Sequence, residues 1–298
     1  KLFQNPVRVP TEFQLITWEN EGGNLYGAND DVVIIAPQSD APKVCVIDSG
    51  IQENHRFLQP AIDAAMSRSF LPNDTSVVDQ VVQGGHGTRV AGAILYPNGI
   101  PRAGQIQLPF FIQNARVLDG NNGMPSTMYP PELMQEIVDY YTPTRVFNLS
   151  IASRYPCRKI HMSQWASAID RIMHESNVLF IIASGNIRST RLNQFNPGIV
   201  DFLASGNQYP TYLLEASCRI ANPSQSSFAL TVGSVCIDRY EDVDRVSFGE
   251  KDNPSAFSRT GLGLWNMIKP DVVEYGGDWV REKIANPNLS YEYITSPE

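Results

Sequence analysis

The 298 residues hold 23 Lys and Arg against 31 Asp and Glu, a formal net charge of −8, with 42% hydrophobic and 18% charged side chains. That balance belongs to an ordinary globular chain, and it lacks the basic footprint of a binder of nucleic acid or anionic membranes. No apolar run approaches the roughly 18 residues of a membrane span and no signal peptide opens the chain, so no membrane partner and a cytoplasmic location are expected.

Four cysteines, Cys45, Cys157, Cys218 and Cys236, lie far apart with no CxxC pair. This argues against a zinc site and against a dense disulfide framework. Cys45 and Cys236 sit in apolar, strand-like runs and read as small buried hydrophobes, although two disulfides remain open at this level.

In chain order, residues 1–42 are rich in Pro, Asn and Asp, with short extended pieces such as Val32–Ile35, and read as an N-terminal arm and linker. Val44–Ile47 is a continuous apolar run, the pattern of a strand buried on both faces. A helix is expected from near His86 through Val90–Leu95. Another is expected over Pro131–Tyr141, where Leu133, Ile137 and Tyr141 recur behind Pro131 and Glu132. Arg145–Ile151 reads as the next strand. Trp165–Glu175 reads as an amphipathic helix with Trp165, Ile169, Ile172 and Met173 on one side. Val178–Ala183 and Phe228–Val235 are further buried strands, and the polar stretch Arg188–Ile220 reads as a long surface insertion. Strands alternating with helices imply right-handed crossovers and an α/β fold, a mostly parallel central sheet with helices on both faces.

In such a sheet, reactive groups gather where the carboxyl ends of strands meet loops and helix starts. Asp48 falls there, after KVCVI and before Ser49 and Gly50, though an isolated VIDSG suits a turn or a helix cap as well. Of the four histidines, His55, His86, His161 and His174, only His86 is bracketed by glycines at a helix start, in GGHGTRVAGAIL. It is the candidate base.

VIDSGIQENH resembles the Asp motif of the subtilisin-like serine proteases (subtilases), and GHGTRVAG resembles their His motif, in the family's order. NARVLDGNNG, VFNLSIAS, LFIIASGN, SSFALTVGSV, SAFSRTG and KPDVVEYGG follow in register. The resemblance covers about residues 43–277 and is similar to a bacterial, intracellular-type subgroup. It implies a subtilisin-like fold and peptide or protein substrates. It makes His86 the general base, Asp48 the group that orients it, and Asn186 the oxyanion donor. It also implies that Ser150, Ile151 and Ala152 pair with substrate backbone and that Ala183, Ser184 and Gly185 wall the primary specificity pocket. Ile151 and Ala152 depart from the Leu and Gly that commonly follow the Ser, which narrows the expected pocket mouth. Arg89 stands where a second His is common and is not expected to be catalytic. His55 matches a position with a packing role. Calcium is frequent in the family, but no ligand cluster is convincing and the acidic stretch Asp238–Asp244 reads as a solvated loop, so no cofactor is expected.

The family's nucleophile lies in a Gly-Thr-Ser-x-Ala motif soon after a segment like KPDVVEYGG, and no such motif is present. The only Gly-Thr is Gly87-Thr88, followed by Arg89, and Ser255, Ser258, Ser290 and Ser296 read as ordinary hydroxyls. Residues 43–298 are therefore expected to form one catalytic domain, truncated at its C-terminal part, with an insertion at about 188–220 and with upstream or downstream domains of the same protein. The alternative is a catalytically dead peptide-binding or regulatory module that keeps the groove. An esterase of another α/β type is disfavoured by the absence of a Gly-x-Ser-x-Gly elbow.

Overall fold

The computed structural model describes residues 32–81, 85–97, 99, 103–241, 243, 245–283 and 294–295. The expected arm up to residue 31, Asp244 at the end of the acidic stretch, Ser290 and Ser296 lie outside the described residues. The chain forms two compact units. The first comprises the described residues up to Ser150 with Arg171–Ile181, and the second comprises Ile151–Asp170 and the residues from Ile182 onward.

In the first unit β1 (Val32–Ile35) leads to β2 (Lys43–Asp48), β3 (Arg68–Ser69), α1 (Gly87–Leu95), β4 (Gly104–Gln107), β5 (Phe111–Arg116), α2 (Pro130–Tyr140) and β6 (Val146–Leu149). β1 pairs with β4 as a separate parallel ribbon. β2 is flanked on both sides: it pairs in parallel with β5 from Lys43↔Phe111 to Asp48↔Arg116, and with β6 from Val44↔Val146 to Ile47↔Leu149. Two neighbours explain the unbroken apolar run, and they fix Asp48 at the carboxyl end of the strand. Val46 packs into a core with Ile51, Phe57, Ala91, Leu95 and Ile112, which seats α1 through its small buried residues. α2 opens on Pro130 and Pro131 with Glu132 in its first turn, and it buries Leu133, Met134, Ile137 and Val138.

The chain passes from one unit to the other within α3 (Gln164–Ser176) and again within β7 (Leu179–Ala183). The second unit adds α4 (Ile199–Ala204), β8 (Leu230–Val235), β9 (Arg245–Ser247), β10 (Val272–Tyr275), β11 (Val280–Glu282) and β12 (Ile294–Thr295). β10 pairs in parallel with β8, while β11 pairs antiparallel with β9 and β12. Within the first unit the sheet order is β6–β2–β5–β3, and within the second β10 lies beside β8, parallel strands of the α/β type expected from the alternating pattern.

The stretch Arg188–Ile220 differs from the surface loop its polarity suggested. It folds α4 and two short 3₁₀ turns, and it buries Ile199, Val200, Phe202, Tyr212, Leu213 and Cys218 in a second core with Ile187, Ala256 and Phe257. The Phe202 and Tyr212 rings stack 5.2 Å apart, and the Tyr212 hydroxyl donates to the Ala256 carbonyl at 2.7 Å. The apolar residues are few, but they converge.

All four cysteines are free and buried. Burial pushes the thiols of Cys45, Cys157, Cys218 and Cys236 up, which leaves none of them poised as a thiolate nucleophile. Among the described residues, no helix is long and apolar enough to cross a membrane.

Candidate active site

The first unit brings Asp48 and His86 together. His86 is the N-cap of α1, and its Nδ1 lies 2.5 Å from Asp48 Oδ1. The same oxygen accepts the Ser49 backbone N–H at 2.8 Å. A carboxylate only accepts, so the Nδ1 side carries the proton and Nε2 keeps its lone pair. The Asp48 side chain is 1% exposed and the His86 side chain 16%, so the carboxylate is sealed while the imidazole keeps an open edge.

Burial works to lower the His86 pKa, but the charge and hydrogen bond of Asp48 and the charge of Asp79 outweigh burial and Arg89, and the value stands above 6.5. The stabilisation this gives is fully present below about pH 6.5, the unfolded value, and is lost as pH rises through the raised folded value. In urea unfolding, the advantage of the unsubstituted protein over His86→Ala is expected to shrink from acidic to alkaline pH. An advantage that grows with pH would contradict the assigned pairing.

A layer beneath this pair holds the start of α1. Ser49 Oγ accepts the Gly87 N–H at 2.9 Å and donates to Asp79 Oδ1 at 2.9 Å. Asp79 Oδ2 accepts both the backbone N–H and the hydroxyl of Thr88, each at 2.9 Å. His55, in contrast, is buried, accepts the Phe57 N–H at Nδ1, and is held down to about 4 by burial and by Arg56. It is a packing residue rather than a base at neutral pH.

The second unit holds the other expected positions. Ile151 and Ala152 are half-buried and lie outside any strand, and Ser150, the last residue of the first unit, also lies past the end of β6. Ala183 closes β7, Ser184 and Gly185 are buried, and the Asn186 side chain is exposed. Ser184 N–H donates to Val232 O at 2.9 Å, and Ser184 O accepts from Ala221 N–H at 3.0 Å. Gly185 has φ +96°, and a Cβ there would lie 2.9 Å from Ala221 Cβ and 3.0 Å from Arg259 Cδ, so only glycine fits.

Arg259, which the sequence marked only as a member of SAFSRTG, is buried against four carbonyls. It donates to Asn186 O at 3.1 Å, Ser217 O at 2.8 Å, Arg219 O at 3.0 Å and Arg154 O at 3.2 Å. With the Arg259 N–H bonded to Gly185 O at 3.1 Å, it fixes the backbone that carries Asn186. The serines near this segment are committed: Ser255 Oγ donates to Gly277 O at 2.5 Å, and Ser258 Oγ accepts the Ser234 N–H at 3.0 Å. Among the described residues, no group of three His, Cys, Asp or Glu side chains is placed to hold a metal ion.

An α/β protein with a sealed carboxylate at a strand end, bonded to an imidazole at the next helix start, has the arrangement that the Asp and His motifs led one to expect. The chain belongs to the subtilase family, whose model matches residues 39–297. An uncharacterized protein, y4bN, of Sinorhizobium fredii (strain NBRC 101917 / NGR234) is 32% identical over 127 residues, covering 41% of this chain and 28% of that relative. The match thus spans less than a third of the relative's length. Among solved structures, the chain is similar to a cold adapted subtilisin-like serine proteinase, at 19% identity and TM-score 0.48 over 92% of this chain and 72% of the other. It is also similar to the S41 psychrophilic protease, at 17% identity and TM-score 0.45 over 95% and 77%.

Proposed function

We propose that this chain is the Asp- and His-bearing part of a subtilisin-type serine endopeptidase acting on peptide or protein substrates, with the nucleophilic Ser C-terminal to residue 298. The observation that carries the reading is the 2.5 Å contact of His86 Nδ1 with the sealed Asp48, both within the residues that the family model matches. His86 takes the Ser proton at Nε2 and later gives it to the leaving amine. Asp48 holds the tautomer and stabilises the imidazolium without taking the proton itself. Attack on the substrate carbonyl forms an acyl-enzyme and releases the amine, and water then hydrolyses the acyl group.

Asn186 is assigned the oxyanion donor, supported by its exposed side chain and its Arg259-anchored backbone. Ser150, Ile151 and Ala152 are assigned to pair with an extended substrate, and Ala183, Ser184 and Gly185 to wall its primary pocket. In the protease extended past residue 298, Asn186→Ala is expected to lower kcat by about 10²–10³-fold with little change in KM, the loss seen when subtilisin's donor is removed. Unchanged kcat would remove Asn186 from the mechanism. Absence of endopeptidase activity from the folded, extended protein would overturn the function itself.

A further inference from the structure

An N-cap residue ordinarily spends its own side chain on the first free N–H groups of the helix. His86 occupies that position on α1 and makes no side-chain cap bond, because its ring is turned to Asp48. The capping is done from elsewhere: Ser49 Oγ takes the Gly87 N–H, and Asp79 Oδ2 takes the Thr88 N–H. Ser49 joins the two carboxylates, since its N–H donates to Asp48 Oδ1 and its hydroxyl to Asp79 Oδ1.

We propose that Asp79 is a positioning residue of the active site: through Thr88 and Ser49 it caps α1 in place of His86 and so frees the imidazole for Asp48. It touches no reacting atom. Two further observations agree. Asp79 is buried and also accepts the Val81 N–H at 3.2 Å, so its carboxylate is fixed rather than a solvated surface charge. Gly85 has φ +71°, and a Cβ there would lie 2.2 Å from Asp79 Oδ2, so the glycine before His86 is the room that Asp79 occupies. The charged groups felt by His86 are Asp48, Asp79 and Arg89, and the Asp79 charge adds to that of Asp48 in favouring the imidazolium.

The proposal rests on reading His86 as the base, yet its test needs no catalysis and can be made on the 298-residue chain. The low-field Nδ1–H resonance of His86 and its titration are followed by ¹H–¹⁵N NMR in the unsubstituted protein, Asp79→Asn and Ser49→Ala. Asp79→Asn removes a charge and places amide hydrogens against the Thr88 donors, so the His86 pKa is expected to fall and the resonance to be lost. Ser49→Ala leaves both carboxylates charged, so loss of the resonance there reports positioning rather than field. If Asp79→Asn does not fold, Ser49→Ala decides alone. Folded variants that keep the resonance and the titration of the unsubstituted protein would overturn the proposal. In the complete protease a loss of about 10²-fold in kcat at constant KM is expected for Ser49→Ala. A protein inactive before any substitution would instead count against the endopeptidase reading.

Discussion

In the protease extended through its nucleophile, His86→Ala is expected to lower kcat by about 10⁶-fold, the loss measured when subtilisin loses its base alone. The size follows from the absence of a substitute among the described residues. His55 is buried and held down to about 4, with its Nδ1 turned to the Phe57 N–H. His161 and His174 are exposed, and neither belongs to the motifs that carry the pair. Without His86 the Ser hydroxyl has nowhere to send its proton, and what survives is acceleration from substrate binding and the oxyanion donor. Steady-state kinetics on a peptide substrate reads this directly. A loss under tenfold would mean that another group is the base.

The second large effect is expected from Asp48→Asn, at about 10⁴-fold in kcat with the fold intact. The substitution is nearly isosteric, so the pairing of Asp48 with Arg116 on β5 survives. The charge that steadies the imidazolium does not. An amide nitrogen facing Nδ1 would also move the ring proton to Nε2, the position that must accept a proton. Loss of the Asp48 charge should lower the His86 pKa, since that charge is a main force holding it up. Kinetics paired with NMR titration of His86 checks both effects. A variant within tenfold of the parent would show that the carboxylate only packs.

Asp48 and His86 were legible in the sequence because each lies inside a contiguous motif whose local physics is readable: an apolar strand ending in a carboxylate, and a glycine-flanked histidine opening a helix of small residues. The strand and helix alternation likewise gave the sheet its α/β character, with ends misplaced by one or two residues. β6 stops at Leu149 rather than Ile151, and β7 begins at Leu179 rather than Val178. Asp79 was not legible. It stands seven residues before His86 in a loop without periodicity, and only the fold brings it onto Thr88. The one available signal was an acidic residue shortly ahead of a helix start, which many surface loops share. Arg259 was hidden for the same reason, since a charged residue in a polar loop reads as exposed until four carbonyls are seen around it. Segment 188–220 was misread because mean polarity conceals Ile199, Phe202, Tyr212 and Leu213, whose spacing follows no single helix or strand period.

The most direct measurement is active-site labelling with a fluorophosphonate probe, which phosphonylates a serine only when a base and an oxyanion site activate it. About one label per chain is expected on the protease extended past residue 298, abolished by His86→Ala, and none on residues 1–298 alone. A folded, extended protein that takes no label, or stoichiometric labelling of the 298-residue chain, would contradict this expectation.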